Sequence, residues 1–152
     1  MALAQSWVSV TACDAVAIGE HLYPRIQFEI TNLHPQYGGC YFVMFPQEIG
    51  APTDTCSAVQ CSGPDDWLFC DISPINGSAF WACTDESIED YILPGETVTG
   101  FEVVLSREDC CFVLNVSNVI PEPFHSEVVC FECELHVQTR TETWGRIKGI
   151  HR

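Results

Sequence analysis

Hydrophobic and polar residues alternate most cleanly between Tyr23 and Leu33. Ile26, Phe28 and Ile30 fall on one face there, and Arg25, Gln27 and Glu29 on the other. A period of two with one apolar face is the pattern of a half-buried antiparallel strand. Trp7 to Cys13 alternates in the same way, with Trp7, Ser9 and Thr11 set against Val8, Val10 and Ala12. Cys40 to Phe45 is a nearly continuous apolar run, read as a strand covered on both faces or lying beside a loop that packs over it. Val98 to Leu105 and Cys111 to Val116 add two strands. Glu127 to Val137 is the last, with Val129, Phe131, Cys133 and Leu135 on one face. Asp14 to Glu20 reads as a loop, and Asn32 to Gly39, with Pro35 and Gly38-Gly39, as a turn. Pro46 to Asp66 has little periodicity and reads as one long loop. Asp85 to Asp90 is acidic, a loop or a single helical turn. Leu93-Pro94-Gly95-Glu96 has the proline and glycine of a type II turn. Ser106 to Asp109 is a polar turn, and Ser117 to Ser126 is a connection containing Pro121 and Pro123.

The stretch Trp67 to Thr84 predicts a hairpin. Asn76-Gly77 is the strongest short signal for a two-residue type I′ turn, because both residues tolerate φ > 0. A turn there puts Cys70 directly opposite Cys83 at a non-hydrogen-bonded site, where Cα atoms approach to about 4.5 Å. That distance suits a disulfide. The whole pattern gives about eight short strands with turns between them and no helical period. The fold class expected is all-β: an antiparallel immunoglobulin-like β-sandwich, stapled by disulfides. Its domain is residues 7–137, between an N-terminal segment 1–6 and a basic tail 138–152.

Composition sharpens this picture. A chain of 152 residues suits one domain with a sizeable core. The longest apolar runs, such as Tyr41 to Phe45, are too short to span a bilayer. Ten cysteines favour disulfides and an oxidising compartment, with structural zinc as the competing reading. Besides Cys70–Cys83, a small ring closed by Cys56–Cys61 is expected. Cys110 and Cys111 are adjacent, so in a strand they face opposite sides and need separate partners. Cys130 and Cys133 form a C-x-x-C, but three residues along a strand they lie about 10 Å apart, on opposite faces. Each should pair with a different segment, which argues against a redox motif. Cys13, Cys40, Cys110, Cys111, Cys130 and Cys133 stay unassigned among many connectivities. Met1-Ala2-Leu3-Ala4-Gln5 contains Ala-x-Ala, the pattern ahead of a signal-peptidase cut, and supports export.

The net charge of −15 disfavours nucleic acid and anionic membranes as partners. The charge is uneven. Arg140 to Arg152 holds Arg140, Arg146, Lys148 and Arg152 against Glu142, a net +3 that leaves −18 for the remainder. A basic tail on an acidic body can dock on its own body, on a neighbour or on an acidic partner.

Candidate chemistry is sparse. His21, His34, His125, His136 and His151 show no metal-ligand spacing. There is no nucleophile elbow, phosphate loop or dinucleotide fingerprint. Asp65-Asp66, Asp85-Glu86 and Glu89-Asp90 are paired acids, but solvated loop acids are the simpler reading than a glycosidase pair. Asp65, Asp66 and Asp85 are the candidates for a calcium loop. Trp67, Phe80, Trp81 and Tyr91 suit an aromatic platform for sugar, with core packing the plainer alternative. Asn76-Gly77-Ser78 and Asn115-Val116-Ser117 match the glycosylation acceptor. No catalytic residue, metal or cofactor is expected.

Two stretches carry a resemblance. Ile92-Leu93-Pro94-Gly95-Glu96-Thr97-Val98-Thr99-Gly100-Phe101 resembles the strand-turn-strand of secreted bacterial immunoglobulin-like and cohesin-like sandwiches. Thr143-Trp144-Gly145-Arg146-Ile147-Lys148-Gly149-Ile150-His151-Arg152 is similar to the Thr-Trp-Gly-x-(Ile/Val)-Lys-x-x-aromatic-Arg ending of certain exported bacterial proteins, with His151 where Tyr is usual. The resemblance implies an extracellular or surface protein. The expected function is that of a non-enzymatic secreted structural subunit, acting through protein contacts and forming homo-oligomers or polymers. Trp144, Arg146, Lys148 and Arg152 are then the partner-binding residues. An extracellular carbohydrate-binding module with a glycan partner is the alternative, and a secreted hydrolase the third reading.

Overall fold

The computed structural model describes residues 5–47, 56–67, 69–83, 91–118 and 123–133. Nine strands run through them: β1 (Val8–Ile18), β2 (His21–Thr31), β3 (Tyr41–Gln47), β4 (Ala58–Ser62), β5 (Phe69–Ile72), β6 (Ala79–Ala82), β7 (Thr97–Leu105), β8 (Asp109–Ser117) and β9 (His125–Glu132). They form two antiparallel sheets, ordered β1-β2-β7-β4 and β5-β6-β3-β8-β9. No α-helix occurs among the described residues, and a 3-10 turn at Asp65–Trp67 joins β4 to β5.

The all-β sandwich read from the alternation is what the chain builds. The inward rows supply the core. Ile26, Phe28, Ile30 and Phe101 come from the first sheet, and Phe42, Trp81, Phe112 and Phe131 from the second, all at most 1% exposed. Rings meet across the layers: Phe28 stands edge-on to Trp81 at 5.7 Å, and Phe42 to Phe101 at 5.1 Å. Trp81 also donates its indole N–H to Ser62 O at 2.9 Å, tying β6 to β4. At one end Asn32 joins the loops. Its Nδ2 donates to Tyr37 O and Ile92 O, each at 2.6 Å, and its Oδ1 accepts the His34 N–H. The Leu93–Glu96 turn closes as expected, with Glu96 N–H donating to Leu93 O at 2.9 Å.

Several boundaries differ from the sequence reading. β1 runs on through the expected Asp14–Glu20 loop to Ile18. Gly19 and Glu20 then make a two-residue hairpin turn, with Gly19 at φ +64° and Ile18 opposite His21. A glycine at the first central position marks a type II′ turn. The Pro46–Asp66 stretch contains β4, five residues too short to show a period. β3 is central, and only its inner face is fully covered: Phe45 on the outer face is 39% exposed. Residues 134–137 of the expected last strand lie outside the described residues.

The Asn76-Gly77 hairpin exists in another register. Cys70 faces Trp81, and Ile72 faces Ala79. Four residues, Pro74 to Gly77, form the loop. Ser73 N–H donates to Ser78 O at 2.8 Å, and Gly77 N–H to Ser73 O at 2.9 Å. Only Gly77 takes positive φ, +71°, so the turn is not type I′. Pro74 presets the first turn residue. Asn76 Oδ1 accepts the backbone N–H of Ser78, an Asx turn that keeps Asn76 out of the left-handed region. The slip of one residue on each strand preserves the inward face but removes Cys83 from opposite Cys70.

The disulfides follow the corrected register. They are Cys13–Cys133, Cys40–Cys83, Cys56–Cys110, Cys61–Cys70 and Cys111–Cys130, leaving no free cysteine. Two expected bonds are therefore corrected. Cys83 lies opposite Cys40 on the extension of the β3–β6 ladder, and its N–H donates to Cys40 O at 2.8 Å. Cys70, inward on β5, reaches Cys61 on β4 instead. Cys56 and Cys61 cannot bond because the intervening strand holds them about 16 Å apart. The alternation argument holds for the rest. Buried Cys110 crosses to Cys56, and outward Cys111 pairs with Cys130 directly opposite. Cys130 and Cys133 take different partners.

Candidate functional site

The sequence singled out sites that the fold distributes widely. Trp144, Arg146, Lys148 and Arg152 lie outside the described residues, as do Asp85, Glu86, Glu89, Asp90, His136 and His151. Trp67 and Trp81 are 2% and 0% exposed, so they pack the core and offer no platform to sugar. Asp65 and Asp66 sit exposed on the 3-10 turn. Among the described residues no three His, Cys, Asp or Glu side chains gather where they could hold a metal. Asn115 Oδ1 accepts the Ser126 hydroxyl.

One polar cluster is built into the fold and was not foreseen. Trp7, just before β1, is buried and stacks on His125 at the start of β9, with centroids 4.2 Å apart and planes 13° apart. Its backbone N–H donates to Glu127 Oε1 at 2.8 Å, and its carbonyl accepts the Thr31 N–H. His125 Nε2 lies 3.4 Å from the same Glu127 oxygen without hydrogen-bond geometry. Burial alone raises the Glu127 pKa, but His125 and the Trp7 N–H outweigh it and hold the carboxyl below its ordinary value. The cluster anchors β1 to β9. The sequence signal was Trp7 at the head of an alternating strand; its partner lies more than a hundred residues away.

Two surfaces are open for contact. The first is the free edge of β1. This strand is eleven residues long and ends its sheet, with no neighbour on its outer side among the described residues. It holds no proline, glycine or lysine. Its single charge, Asp14, is matched by Arg25 on β2, with Nε 2.8 Å from Oδ1. That hydrogen bond with Arg25 lowers the Asp14 pKa. Pair types alternate outward from the two-residue turn, so Ala17, Ala15 and Cys13 turn their N–H and C=O groups away from β2. Edges in soluble proteins are usually blunted by charge, proline or brevity.

The second surface is the outer face of the five-stranded sheet. Val43, Phe45, Phe80, Val113 and Val128 make an apolar band there, with Phe45 39% and Val128 57% exposed. Tyr41 meets Phe80 edge-on at 4.7 Å. A shallow recess of about 410 Å³ lies between Val43, Phe45 and Phe80, rimmed by Asp71, Ser73, Asn76 and Ser78.

Among the described residues, no helix is long and apolar enough to cross a membrane. No protein-family model matches the chain, and no curated protein matches it either.

Proposed function

We propose that this is a non-enzymatic, secreted structural subunit that works by protein–protein contact and assembles with copies of itself. The observation that carries the reading is the edge of β1: long, uncharged apart from one neutralised aspartate, and open along its backbone. Such an edge accepts an added strand from another chain. The five disulfides suit an oxidising compartment, and the Ala-x-Ala start and Thr-Trp-Gly-x-Ile-Lys ending suit export to a bacterial surface. The +3 tail on a −18 body supplies a second, electrostatic contact between copies.

Light scattering and negative-stain microscopy of three chains test this: the full chain, Ala15→Pro, and a chain ending at Val137. Proline at position 15 removes an outward N–H without disturbing the ladder to β2. The full chain should exceed 17.0 kDa, and Ala15→Pro should not. A full chain that stays monomeric at every concentration would reject the reading. Equal particles from the full and shortened chains would remove the tail from assembly.

A second reading is favoured by the outer-face recess, where Phe80 and Phe45 stand beside Asp71, Ser73 and Asn76. An aromatic flanked by polar groups is the arrangement that holds a sugar ring. A glycan array with Phe80→Ala as control decides it, since loss of a specific signal in that variant would place sugar at the recess.

A further inference from the structure

The five disulfides differ in how they face the solvent. Cys40, Cys56, Cys110 and Cys133 are buried, so the Cys13–Cys133, Cys40–Cys83 and Cys56–Cys110 bonds each have at least one half inside the protein. Cys61 and Cys70 are half-buried and stand on inward rows, opposite Val103 and Trp81. Cys111–Cys130 is of another kind. It joins β8 to β9 within one sheet, on the outer face, and Cys130 alone of the ten cysteines is exposed. Exposed disulfides are the ones open to exchange with external thiols.

Placement also decides which sulfur is attacked. A thiolate approaches a disulfide sulfur in line with the bond, from the side opposite the sulfur that leaves. β9 ends its sheet, so the direction from Cys111 to Cys130 leads off the sheet edge. Behind Cys111 stands β3, with Gln47 opposite it. A nucleophile aimed at the Cys111 sulfur must pass over β3, and one aimed at Cys130 need not. Opening the bond leaves the scaffold closed. β8 and β9 stay paired from Asp109–Glu132 to Val116–His125, and Cys13–Cys133 still pins β9 to β1. The next outward row sets Asp109 opposite Glu132, both exposed, with Arg107 answering Asp109 at 3.3 Å. On a chain of net charge −15, that row disfavours an anionic reagent.

We propose that Cys111–Cys130 is a thiol–disulfide exchange site that accepts a neutral or cationic thiol on Cys130. The incoming thiolate sulfur bonds to Cys130 Sγ. The Cys111–Cys130 bond breaks, and its electron pair leaves on Cys111 Sγ, which takes a proton from water. A second thiol then displaces Cys130 as a thiolate and departs joined to the first as their disulfide. In reverse, the Cys111 thiolate displaces the bound thiol from Cys130 and restores the bond. The site does not depend on the assembly reading, which rests on β1.

Cysteamine added to the oxidised full chain tests this, with iodoacetamide quenching at intervals and non-reducing peptide mapping. Cysteamine should appear on Cys130 with the alkyl group on Cys111, about 10-fold sooner than at any other pair. At equal thiolate concentration, cysteamine should react about 3-fold faster than mercaptopropionate, and added salt should narrow the gap. A chain carrying Cys111→Ser and Cys130→Ser should lack the fast phase. Cysteamine found first on another pair, or spread evenly over all five, overturns the proposal. So does cysteamine on Cys111 with Cys130 alkylated, or exchange no faster than global unfolding. Equal rates for the two thiols would overturn the stated preference for charge.

Discussion

Asn32 is fully buried, and its side-chain amide answers three backbone groups on two loops. Replacing it with leucine keeps the volume but strands Tyr37 O and the His34 N–H, and leaves Ile92 O with the Gly39 N–H alone. Each buried group left without a partner costs about 1–3 kcal/mol, so Asn32→Leu should lower unfolding stability by at least about 2 kcal/mol in urea titration. Glu127 makes a pH prediction. Its folded pKa lies below the ordinary 4.5. Its contribution is therefore complete above the ordinary value and is lost as pH falls through the lowered one. Glu127→Gln keeps an acceptor for Trp7 but cannot titrate, so its melting temperature should fall less steeply on the acid side. Parallel acid limbs would show that Glu127 is not the linked group. At this scale the sequence was legible where one residue's pattern sufficed: Trp67 and Trp81 pack the core. Asn32 was read only as part of a turn, because its bond to Ile92 O, 60 residues on, ties that turn to a loop the local pattern does not show.

Among the elements, the β5–β6 hairpin shows what local signals miss. Asn76-Gly77 correctly marked a turn. The type and register depended on Pro74, on the Asx turn at Asn76, and on the seat of the tip against β4, where Ala58 N–H donates to Gly77 O at 2.9 Å. A Cβ on Gly77 would lie 2.3 Å from Ser57 Cβ, and its φ is +71°. Gly77→Ala should thus destabilise by more than about 1 kcal/mol, measured by denaturant midpoint. The disulfides extend the same lesson. Alternation correctly split Cys110 from Cys111 and Cys130 from Cys133. It could not name Cys61 for Cys70, because those strands lie in different sheets and β4 is too short to read. Non-reducing peptide mapping should recover Cys40–Cys83 and Cys61–Cys70. A Cys70–Cys83 peptide would restore the two-residue turn and refute the register described here.

For the molecule as a whole, three disulfides join the two layers. Cys13–Cys133 closes the β1/β9 side, Cys61–Cys70 closes the β4/β5 side, and Cys56–Cys110 joins the segment ahead of β4 to β8. The sandwich cannot open along either flank without breaking a covalent bond. Cys13–Cys133 spans 120 residues and Cys111–Cys130 only 19. Replacing the first pair by serine should cost about 2–5 kcal/mol, and more than replacing the second. Among the described residues the sheets end at β1, β4, β5 and β9, and β1 is the longest of these edge strands. If a second copy adds to this edge as proposed, it must overcome repulsion between two acidic bodies, so added salt should strengthen the association. If the basic tail supplied the main contact, salt would weaken assembly instead. The most direct measurement is the exchange rate of the outward β1 amides, Ala15 and Ala17, followed from dilute to concentrated protein. They should slow as the mass rises above 17.0 kDa. A rising mass with those two amides unchanged would mean that the copies meet elsewhere, and would contradict the account.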